Sequence, residues 1–404
     1  MTATPSAIAP VAIVAHSLVS ALGDGQQAWA DAVRDNRSAL APNRLNEAPL
    51  ACFTGAVAGL DGDPLPLAWS HWDSRPTRLA WRALQADGLI DAVIAARQRH
   101  GPARIGLVLG TSASTIGVSE QAYRQLEADG GFPHRVRSER LNTPHAVAAF
   151  VAEALSIDGP SATVSTACSS SAKAFAMAER WLRLGLVDAV LVGGVDALCA
   201  SVLYGFHALG LVSTEPCRPF DARRNGISVG EAAGFALLER GRDAPLCLLG
   251  YGEANDAHHM SAPHPQGLGA ETALDHALAR AGLADTRTVG LVSLHGTATP
   301  QNDAVEAALV ARRYAPDVHA CAGKGGLGHT MGAAGIAGAA LAWLALRDGV
   351  AAGSPGHEAT DTDLPAPFAR QLRATPKTLQ VRVAASHAFG FGGNNVVLLF
   401  GRGA

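Results

Sequence analysis

The 404-residue sequence is poor in aromatic and charged side chains and has no long hydrophobic run. Phe, Trp and Tyr make up 5% of the residues, and Asp, Glu, Lys and Arg make up 17%. The formal net charge is only −3, which argues against nucleic acid or an anionic membrane as the main partner. No uncharged apolar segment approaches the ~18 residues that a membrane-spanning helix needs.

Cysteine is scarce and scattered, and no two cysteines have CxxC spacing. Neither a zinc site nor a disulfide framework is therefore predicted. This usage is typical of the reducing cytosol, and the N-terminal MTATPSAIAPVAIVAH lacks the basic segment of a signal peptide. We therefore expect a cytoplasmic protein. The six cysteines are Cys52, Cys168, Cys199, Cys217, Cys247 and Cys321.

What the sequence has instead is 48% hydrophobic residues and 44 glycines, a composition typical of a well-packed, turn-rich globular protein. Its length favours two domains or one large duplicated one. Apolar strands, such as 103–110 and 188–195, alternate with Ala-rich helices, such as 75–97 and 170–185. This alternation predicts an α/β fold with mostly parallel sheets covered on both faces. A weak internal duplication is expected, because both halves place a Gly- or Ser-rich loop before a long Ala-rich helix.

The segment TVSTACSSSAKAF, residues 163–175, places a cysteine where a β-branched strand ends and an Ala-rich helix begins. Cys168 therefore lies at a predicted helix N-terminus, where free N–H groups and the helix dipole favour negative charge. Such a position lowers the pKa of a thiol and makes a thiolate nucleophile available. The alternative is that Cys168 is a small buried hydrophobic residue, as most free cysteines are.

Three further loops stand out. His295 in SLHGTATP follows a strand, at the end where α/β sheets bind ligands; a turn histidine capped by threonines is an equal alternative. GKGGLGHTMGAAG (323–335) has glycines that permit close backbone approach but lacks the GxxxxGK[ST] order of a phosphate loop. FGFGGNN (389–395) is an aromatic, glycine-hinged loop or a simple tight turn. A cysteine with His295 and His329 suits nucleophilic acyl chemistry, in which imidazoles donate hydrogen bonds to an oxyanion.

Together, and in this order, the motifs resemble the elongating β-ketoacyl-acyl carrier protein synthases. The resemblance runs from about residue 10 to the C-terminus, on TACSSS, RPFDARRNGISVGEAAG, DAHHMSAP, HGTATPQND, GKGGLGHTMGAAG and FGFGGNN. It implies a thiolase fold, with two βαβαβαββ halves related by a pseudo-dyad in a five-layer αβαβα arrangement. The halves would be residues 1–245 and 246–404. It also implies a dimer, either with a second copy or with a related ketosynthase-like subunit.

The resemblance also implies roles for individual residues. Cys168 would be the acylated nucleophile, with His295 and His329 as its catalytic partners. Lys324 would take the family's lysine position, and the N–H groups of Cys168 and Phe391 would hold the oxyanion. Small side chains in the acyl pocket would leave room for a long or rigid chain. The other implied residues are the gating Phe391 with Phe389, the phosphopantetheine-channel residues Thr297, Thr299 and Ser261, and the acyl-pocket residues Ala113, Ser114 and Phe206.

The implied reaction is a decarboxylative condensation in two half-reactions. An acyl chain passes from a carrier-protein thioester to Cys168. Malonyl-carrier then loses carbon dioxide, His295 and His329 stabilise the enolate, and the carbanion attacks the acyl thioester to give a 3-oxoacyl-carrier longer by two carbons. No cofactor is implied beyond the phosphopantetheine of the acyl carrier protein. The arginines expected to meet this acidic partner are Arg75, Arg78, Arg82, Arg124, Arg135 and Arg137.

The sequence departs from the family at a small structural cation site and in the last loop. The usual Asn, Glu and Ser ligands of that cation are replaced, so we predict no bound metal. Lys324 then lacks the family's glutamate partner and needs another carboxylate or acceptor; Asp303 and Glu306 are the nearest candidates. The last motif reads GGNN where GGTN is usual, which affects the local loop geometry. The three changed cation positions are Ser293, Gly338 and Ala388.

Other functions remain open beside this one. A non-catalytic chain-length-factor subunit is disfavoured because such subunits lack the nucleophile, although the chain could be the active half of a heterodimer. A thiolase would use a second cysteine near the C-terminus, whereas Cys321 lies in a different motif. A binding-only protein would not require the cysteine, two histidines and a lysine together. ACSSSAKAF and GFHALGLVS (205–213) favour an accessory pathway, such as aryl polyene synthesis, over housekeeping fatty-acid synthesis.

Overall fold

The computed structural model describes residues 5–126, 130–132 and 140–403. The strands are β1 (Val11–Ser20), β2 (Gly23–Asp24), β3 (Ala41–Pro42), β4 (Phe53–Gly55), β5 (Ile105–Gly110), β6 (Ser161–Val164), β7 (Ala189–Asp196), β8 (Val229–Gly230), β9 (Ala232–Arg240), β10 (Leu246–Asn255), β11 (Val289–Ser293), β12 (His319–Cys321), β13 (Val350–Ala351), β14 (Lys377–Thr378), β15 (Val383–Gly390) and β16 (Asn394–Arg402). The helices are α1 (Gly25–Arg34), α2 (Arg75–Gln85), α3 (Leu89–His100), α4 (Ile116–Arg124), α5 (Ala146–Leu155), α6 (Ser170–Arg183), α7 (Ala200–Ala208), α8 (Leu268–Ala281), α9 (Pro300–Arg313), α10 (Lys324–Leu327), α11 (Ala334–Asp348) and α12 (Ala366–Gln371).

The main sheet consists of two halves that repeat one strand order. Its sequence of neighbours is β12-β11-β15-β16-β10-β1-β9-β7-β5-β6. In the first half, β5 pairs in parallel with β6 and β7, and β9 pairs antiparallel with β7 and β1. In the second half, β11 pairs in parallel with β12 and β15, and β16 pairs antiparallel with β15 and β10. The halves meet where β1 pairs antiparallel with β10. This repeat is the predicted α/β thiolase fold.

The prediction of mostly parallel sheets is wrong, because each half is mixed. Among the five main strands of each half, two pairs are parallel and two are antiparallel, and in the first half β2 adds a further antiparallel pair with β1. The tight turn between β15 and β16 gives the reason in the second half, since strands joined by a tight turn run antiparallel and need no crossover helix. Apolar strands buried on both faces look alike in either direction, so hydrophobicity alone did not reveal the difference.

Helices complete a five-layer arrangement. Helices α6 and α11 pack against each other between the two halves of the sheet, where Phe175, Trp343 and Phe400 form a cluster of edge-to-face rings. Helices α2, α3 and α5 cover the outer face of the first half, and α8, α9 and α12 cover that of the second. Within the described ranges, no helix is both long and apolar enough to span a bilayer.

The helix predicted over 75–97 is two helices with a break between them. Helix α2 ends at Gln85 and α3 begins at Leu89, with Asp87 and Gly88 at φ values of 57° and 72°. A right-handed helix cannot continue through two residues with left-handed backbone angles. The Asp-Gly pair is a recognised turn signal, so the break was detectable from the sequence.

Close backbone contacts fix the start of α6 at the centre of the molecule. A Cβ atom on Gly110, at the end of β5, would lie 2.2 Å from the backbone nitrogen of Ser171. A Cβ atom on Gly335, in the first turn of α11, would lie 2.4 Å from the backbone nitrogen of Ala172. Only glycine fits at these two positions. As a result α6 begins directly against β5 and α11, which sets the place of the residues just before it.

Candidate active site

Cys168 lies in a strained turn immediately before α6. The preceding residue, Ala167, has a φ of 52°, a conformation that costs energy for any residue with a side chain and that occurs preferentially at functional sites. The turn is stabilised by hydrogen bonds from the backbone nitrogen and hydroxyl of Ser170 to the Ala167 carbonyl, at 3.1 and 2.6 Å. The side chain of Cys168 faces a pocket, although only 5% of the residue is exposed.

His329 contacts the cysteine directly. Its Nε2 lies 3.0 Å from the Sγ of Cys168, and its Nδ1 accepts a hydrogen bond from the backbone nitrogen of Met331 at 3.1 Å. Because a backbone N–H can only donate, Nδ1 is unprotonated and the proton of the neutral ring is on Nε2. His329 therefore presents an N–H donor to the cysteine sulphur and to the pocket beyond it.

His295 is held in the same tautomer by a different donor. Its ring lies 5.5 Å from that of His329, centroid to centroid, at an angle of 86°. The Nζ of Lys324 lies 3.4 Å from His295 Nδ1 and also donates to the His295 carbonyl oxygen. Since an ammonium has no acceptor site, His295 Nδ1 is the acceptor and its Nε2 carries the proton. Both histidines thus present Nε2–H groups to one small volume.

Burial keeps both imidazoles neutral. Desolvation lowers the pKa of His295 and of His329 well below the usual value, and the positive charge of Lys324 lowers each further. The pKa of Lys324 is itself lowered by burial, against the opposing effect of the Glu306 carboxylate. Neutral rings with a proton on Nε2 are suited to stabilise a developing oxyanion.

Of the two kinds of partner expected for Lys324, a carboxylate or another acceptor, the structure shows the second. No carboxylate oxygen of either residue lies within ion-pair distance of the ammonium, whose described hydrogen-bond acceptors belong to His295. The Glu306 carboxylate is occupied elsewhere, because it accepts hydrogen bonds from the backbone nitrogens of His295 and Gly296, both at 2.8 Å. Glu306 acts on Lys324 through space and supports the loop that carries His295.

Sequence reasoning missed the partners behind Glu306. His387 Nδ1 lies 3.0 Å from Glu306 Oε1, and His387 Nε2 lies 2.8 Å from the hydroxyl of Tyr314. All three side chains are buried. A histidine in the mostly apolar strand β15, just before the FGFGGNN loop, was the signal that could have identified these hydrogen-bonded partners. Its place behind His295 indicates that it orients the catalytic loop and does not touch substrate.

The prediction of a lowered thiol pKa is wrong. Burial raises the pKa of Cys168 to about 11, and the charge of Lys324 and the backbone N–H groups of Phe391 and Cys168 offset only part of that effect. The argument from the helix N-terminus counted the favourable dipoles but not the loss of water around a 5% exposed residue. The loss of water around the sulphur therefore favours the neutral thiol over the thiolate before substrate arrives.

One pocket gathers most of the residues predicted from the motifs. Cys168, His295 and His329 line it together with Gln301 and Asn302. Ala113 and Ser114 are not among the residues that line it. Ser114 lines a separate cavity beside α4 and α7, and the Ala113 backbone nitrogen donates to Asp196 at 2.9 Å. The other predicted residues that line the pocket are Phe206, Ser261, Thr297, Thr299, Phe389 and Phe391.

The aromatic loop forms one side of this pocket. The ring of Phe391 packs edge-on against that of Phe206, 5.9 Å between centroids, and the ring of Phe389 lies 5.9 Å from that of His295. Phe391 lines this pocket together with Cys168, and its backbone N–H acts to lower the pKa of the Cys168 thiol. The loop therefore brings a second backbone donor next to the one that Cys168 itself supplies.

The residues at the family's cation position do not fit a cation. The hydroxyls of Ser293 and Ser386 are buried without a hydrogen-bond partner, and Gly338 and Ala388 offer no side-chain ligand. A Cβ atom on Gly338 would lie 2.7 Å from the hydroxyl oxygen of Ser386. Hydroxyls without a carboxylate are a poor ligand set for a hard cation. The expectation of no bound metal stays a prediction.

Cys168, His295 and His329 also place their ligand atoms within 4.8 Å of one another. A metal-binding histidine normally donates its second ring N–H to an acceptor. Here the second nitrogens face donors instead, the Met331 backbone N–H and the Lys324 ammonium. These contacts favour histidines that donate from Nε2 over histidines that ligate through it.

Most of the arginines expected to meet a carrier protein are engaged within the chain. Three of the six form ion pairs with carboxylates, and docking of a carrier protein on these arginines stays a prediction. Arg124 is exposed, and its guanidinium donates to the Glu47 carbonyl at 3.1 Å. Arg135 and Arg137 lie outside the described residues. The three pairs are Arg75–Glu231, Arg78–Asp73 and Arg82–Asp24.

Comparison with known proteins agrees with this geometry. The family models for the N-terminal and C-terminal domains of β-ketoacyl synthases match residues 77–244 and 246–357. The chain is 32% identical over 385 residues to nodulation protein E of Rhizobium meliloti (strain 1021), covering 91% of this chain and 93% of the relative. It is 35% identical over 267 residues to 3-oxoacyl-[acyl-carrier-protein] synthase 2 of the same strain, covering 60% of this chain and 61% of the relative.

A solved structure extends the similarity to the complete fold. The ketosynthase ApeO in complex with its chain length factor ApeC from Xenorhabdus doucetiae matches with a TM-score of 0.86 and 34% sequence identity, covering 98% of each chain. The chain belongs to the β-ketoacyl synthase family, and its activity is that of a 3-oxoacyl-[acyl-carrier-protein] synthase, an acyltransferase that condenses carrier-bound acyl groups.

Proposed function

We propose that Cys168 is the acylated nucleophile of this synthase and that His295 and His329 stabilise the enolate formed from malonyl-carrier. The observation that carries the proposal is the 3.0 Å contact between His329 Nε2 and the Cys168 sulphur, with His295 beside them in the same tautomer. A cysteine buried only for packing would not need two donor-locked imidazoles. Lys324 fixes the tautomer of His295 and is a positioning residue.

Acyl transfer comes first and requires no net proton uptake. The Cys168 sulphur attacks the thioester carbonyl, and the backbone N–H groups of Cys168 and Phe391 hold the resulting oxyanion. The C–S bond to phosphopantetheine then breaks. The proton lost by the Cys168 thiol ends on the departing pantetheine sulphur. A neutral thiol with a pKa of about 11 is consistent with this exchange, because a thiol is consumed and a thiol is formed.

Decarboxylation and condensation follow in the same pocket. The malonyl carboxylate leaves as carbon dioxide, and the electron pair of the broken C–C bond passes into an enolate whose oxygen accepts Nε2–H bonds from His295 and His329. The enolate carbon attacks the acyl thioester, a C–C bond forms, and the bond to Cys168 sulphur breaks. The released thiolate takes up one proton from water, which restores the neutral cysteine. No cofactor takes part in this scheme.

Labelling of the nucleophile tests the proposal. An α-chloroacyl pantetheine should alkylate one cysteine, and peptide mass spectrometry should place the label on Cys168. Cys168→Ala should abolish both labelling and condensation, whereas Cys199→Ala, which removes another buried cysteine, should retain both. A label on Cys199 or Cys321 with Cys168 unmodified would overturn the assignment.

We further propose that the chain works as the active subunit of a heterodimer with a related ketosynthase-like subunit and takes its substrates from an acyl carrier protein. The similarity to a ketosynthase bound to its chain length factor supports the first part, and the name of a 3-oxoacyl-[acyl-carrier-protein] synthase relative supports the second. The phosphopantetheine arm would lie along Thr297 and Thr299, whose hydroxyls are 2.8 Å apart, and along Ser261.

An accessory pathway such as polyene synthesis in the cytoplasm is the setting that we propose for this pair. Co-expression with a candidate ketosynthase-like subunit, followed by mass measurement of the purified complex, tests the assembly. A 1:1 complex that condenses malonyl-carrier, beside an inactive single chain, is the expected result. A fully active assembly of two 41.4 kDa copies would contradict the heterodimer but leave the catalytic assignment intact.

A further inference from the structure

Three asparagine side chains hold the carbonyl groups of the loop Phe391–Gly393. The first carbonyl of the loop accepts from Asn394 Nδ2 at 3.3 Å, the second from Asn255 Nδ2 at 2.8 Å, and the third from Asn395 Nδ2 at 3.0 Å. Two consecutive glycines of the loop have φ values of 74° and 72°. Glycine backbone has little conformational preference of its own, so these external contacts determine where the loop lies.

Asn394 differs from the other two asparagines because its side-chain oxygen binds a lysine. Its Oδ1 accepts a hydrogen bond from Lys173 Nζ at 2.9 Å. Because a lysine can only donate, the orientation of the Asn394 amide is fixed, with oxygen toward Lys173 and nitrogen toward Phe391. Among the described residues, no carboxylate oxygen lies within ion-pair distance of this ammonium. Lysine is rare in the sequence, and Lys173 is one of only three, with Lys324 and Lys377.

The contact joins the two elements that supply backbone donors to the cysteine sulphur. Lys173 is in the first turns of α6, directly after the turn that carries Cys168. At the other end, Asn394 holds the carbonyl of Phe391, which lines the pocket together with Cys168 and whose N–H acts to lower the pKa of that thiol. An asparagine amide offers an acceptor and a donor about 2 Å apart, so Asn394 can bind the Lys173 ammonium and the Phe391 carbonyl at the same time. The hydroxyl of the threonine that is usual at this position is shorter and reaches less far.

We propose that Lys173 and Asn394 are positioning residues that hold Phe391 over Cys168 and so set the spacing of the two oxyanion donors. This inference rests on the proposed function, because it assumes that those N–H groups bind the oxyanion of acyl transfer. This Lys173–Asn394–Phe391 link has no contact with His295 or His329 and does not act on decarboxylation. The spacing of the two donors is therefore controlled from the side chains of α6 and β16, outside the pocket.

Separate measurement of the two half-reactions tests the link. Lys173→Met keeps the aliphatic stem and removes the donor, and Asn394→Ala removes the relay. Transfer from an acyl-pantetheine to Cys168, followed by intact-protein mass spectrometry, should slow about tenfold in kcat, less than the 10²–10³ lost when an oxyanion donor is removed outright. Carbon dioxide release from malonyl-carrier should stay within about twofold of the parent rate, because the histidines are untouched.

Controls distinguish positioning from general stability. Lys377→Met removes an exposed lysine on β14 and should leave acyl transfer unchanged. Lys173→Arg retains a donor and should recover most of the rate, and the double variant should be no slower than the slower single variant, as expected for residues acting as one unit. Hydrogen exchange in a peptide containing residues 389–395 should increase in Lys173→Met.

Two results would overturn the link. The first is acyl transfer at the parent rate in Lys173→Met. The second is an equal loss of acyl transfer and decarboxylation together with a lower Tm, which would mean that Lys173 only stabilises the fold. Failure of the parent enzyme to become acylated at Cys168 is a different result, and it would reject the proposed function itself.

Discussion

Strands β6 and β12 hold the same place in the repeated strand order of the two halves, yet the loops that follow them do different chemistry. After β6, which ends at Val164, the chain reaches Cys168 and enters α6 almost at once. After β12, the chain passes Lys324 and His329 before α11 begins at Ala334. The short loop presents a sulphur and a main-chain N–H, whereas the long loop presents side-chain donors.

The loops after β5 and β7 also differ in their role from the equivalent loops after β11 and β15. The loop that follows β5 is tied to the end of β7 by Asp196, whose carboxylate accepts hydrogen bonds from the backbone nitrogens of Ser112 and Ala113 at 2.7 and 2.9 Å. The loops after β11 and β15 carry His295 and Phe391. One framework thus supports both halves, and the chemistry resides in loops that have diverged: the first half supplies the nucleophile and structural bonds, the second supplies most of the donors.

The largest effect expected from this comparison comes from the second-half histidines. His295→Ala or His329→Ala should each reduce carbon dioxide release from malonyl-carrier by about 10²–10³, because each removes one donor to the enolate oxygen. Acylation of Cys168 should remain within about tenfold of the parent rate. His276→Ala, on helix α8 away from the pocket, is the matched control. Decarboxylation at the parent rate in either active-site variant would show that the role is misassigned.

Lys324→Met should have the next largest effect, with about a tenfold loss of decarboxylation at neutral pH, since positioning groups contribute less than direct donors. The charge of Lys324 lowers the pKa of both histidines. Its removal should therefore move the acidic limb of the decarboxylation profile to higher pH. A purely structural lysine would lower the rate at every pH without moving the limb.

Stability should depend on pH through the second half of the site more than through the first. The pKa of His329 is lowered in the folded state, so its stabilising contribution is complete above the unfolded value of about 6.5 and decreases as the pH falls below it. His329→Gln should remove up to about 1.4 kcal/mol per pH unit from the slope of the free energy of unfolding in that range. Urea titrations from pH 7.5 to 5 measure this difference. Equal slopes in parent and variant would contradict it.

Chain-length selection should respond more to Phe206 than to Ala113. Phe206 lines the pocket with Cys168, and Ala113 does not. Phe206→Ala should shift acceptance toward longer or bulkier acyl groups, measured by product mass after competition between acyl-carriers. Ala113→Phe is expected to shorten the accepted chain and leave malonyl decarboxylation intact, with an overpacking penalty of about 1–3 kcal/mol. An unchanged product distribution in folded Ala113→Phe would mean that this residue only packs.

The smallest effect concerns carrier docking. With three of the candidate arginines held in ion pairs, Arg124 is the exposed one that the structure describes. Arg124→Ala should raise KM for the carrier about twofold at low ionic strength, and the difference should vanish at high salt, because interactions between exposed charges are weak and screened. A KM that is flat from low to high salt in the parent would exclude electrostatic docking.

The sequence was sufficient to identify the family, the α/β duplication and the loops that carry Cys168, His295, His329 and Lys324. Each lies in a distinctive local motif, and local motifs are readable from one sequence. The direction of the Cys168 pKa shift could not be predicted from the sequence, because it depends on how much water the fold removes from around the thiol. For the same reason the contact of Lys324 with a carbonyl, rather than with Glu306, follows only from three-dimensional packing.

Other features were hidden because they join distant parts of the chain. The hydrogen bonds among Glu306, Tyr314 and His387 connect α9, the residue after it and β15, and no spacing rule links these segments. The same holds for Lys173 and Asn394, which are 221 positions apart. In contrast, the break after α2 was predictable, since an Asp-Gly pair interrupts the helical pattern there.

The narrow junction between β1 and β10 has a consequence for how the enzyme becomes competent. Only three residue pairs, from Val11 with Leu248 to Ile13 with Leu246, connect the two halves of the sheet. The contact between Cys168 and His329, however, requires the halves to be aligned to within a hydrogen-bond length. Folding of either half alone leaves a nucleophile without donors or donors without a nucleophile. Activity during refolding should therefore appear only once both halves are folded and aligned, and a chain with misaligned halves would be catalytically silent.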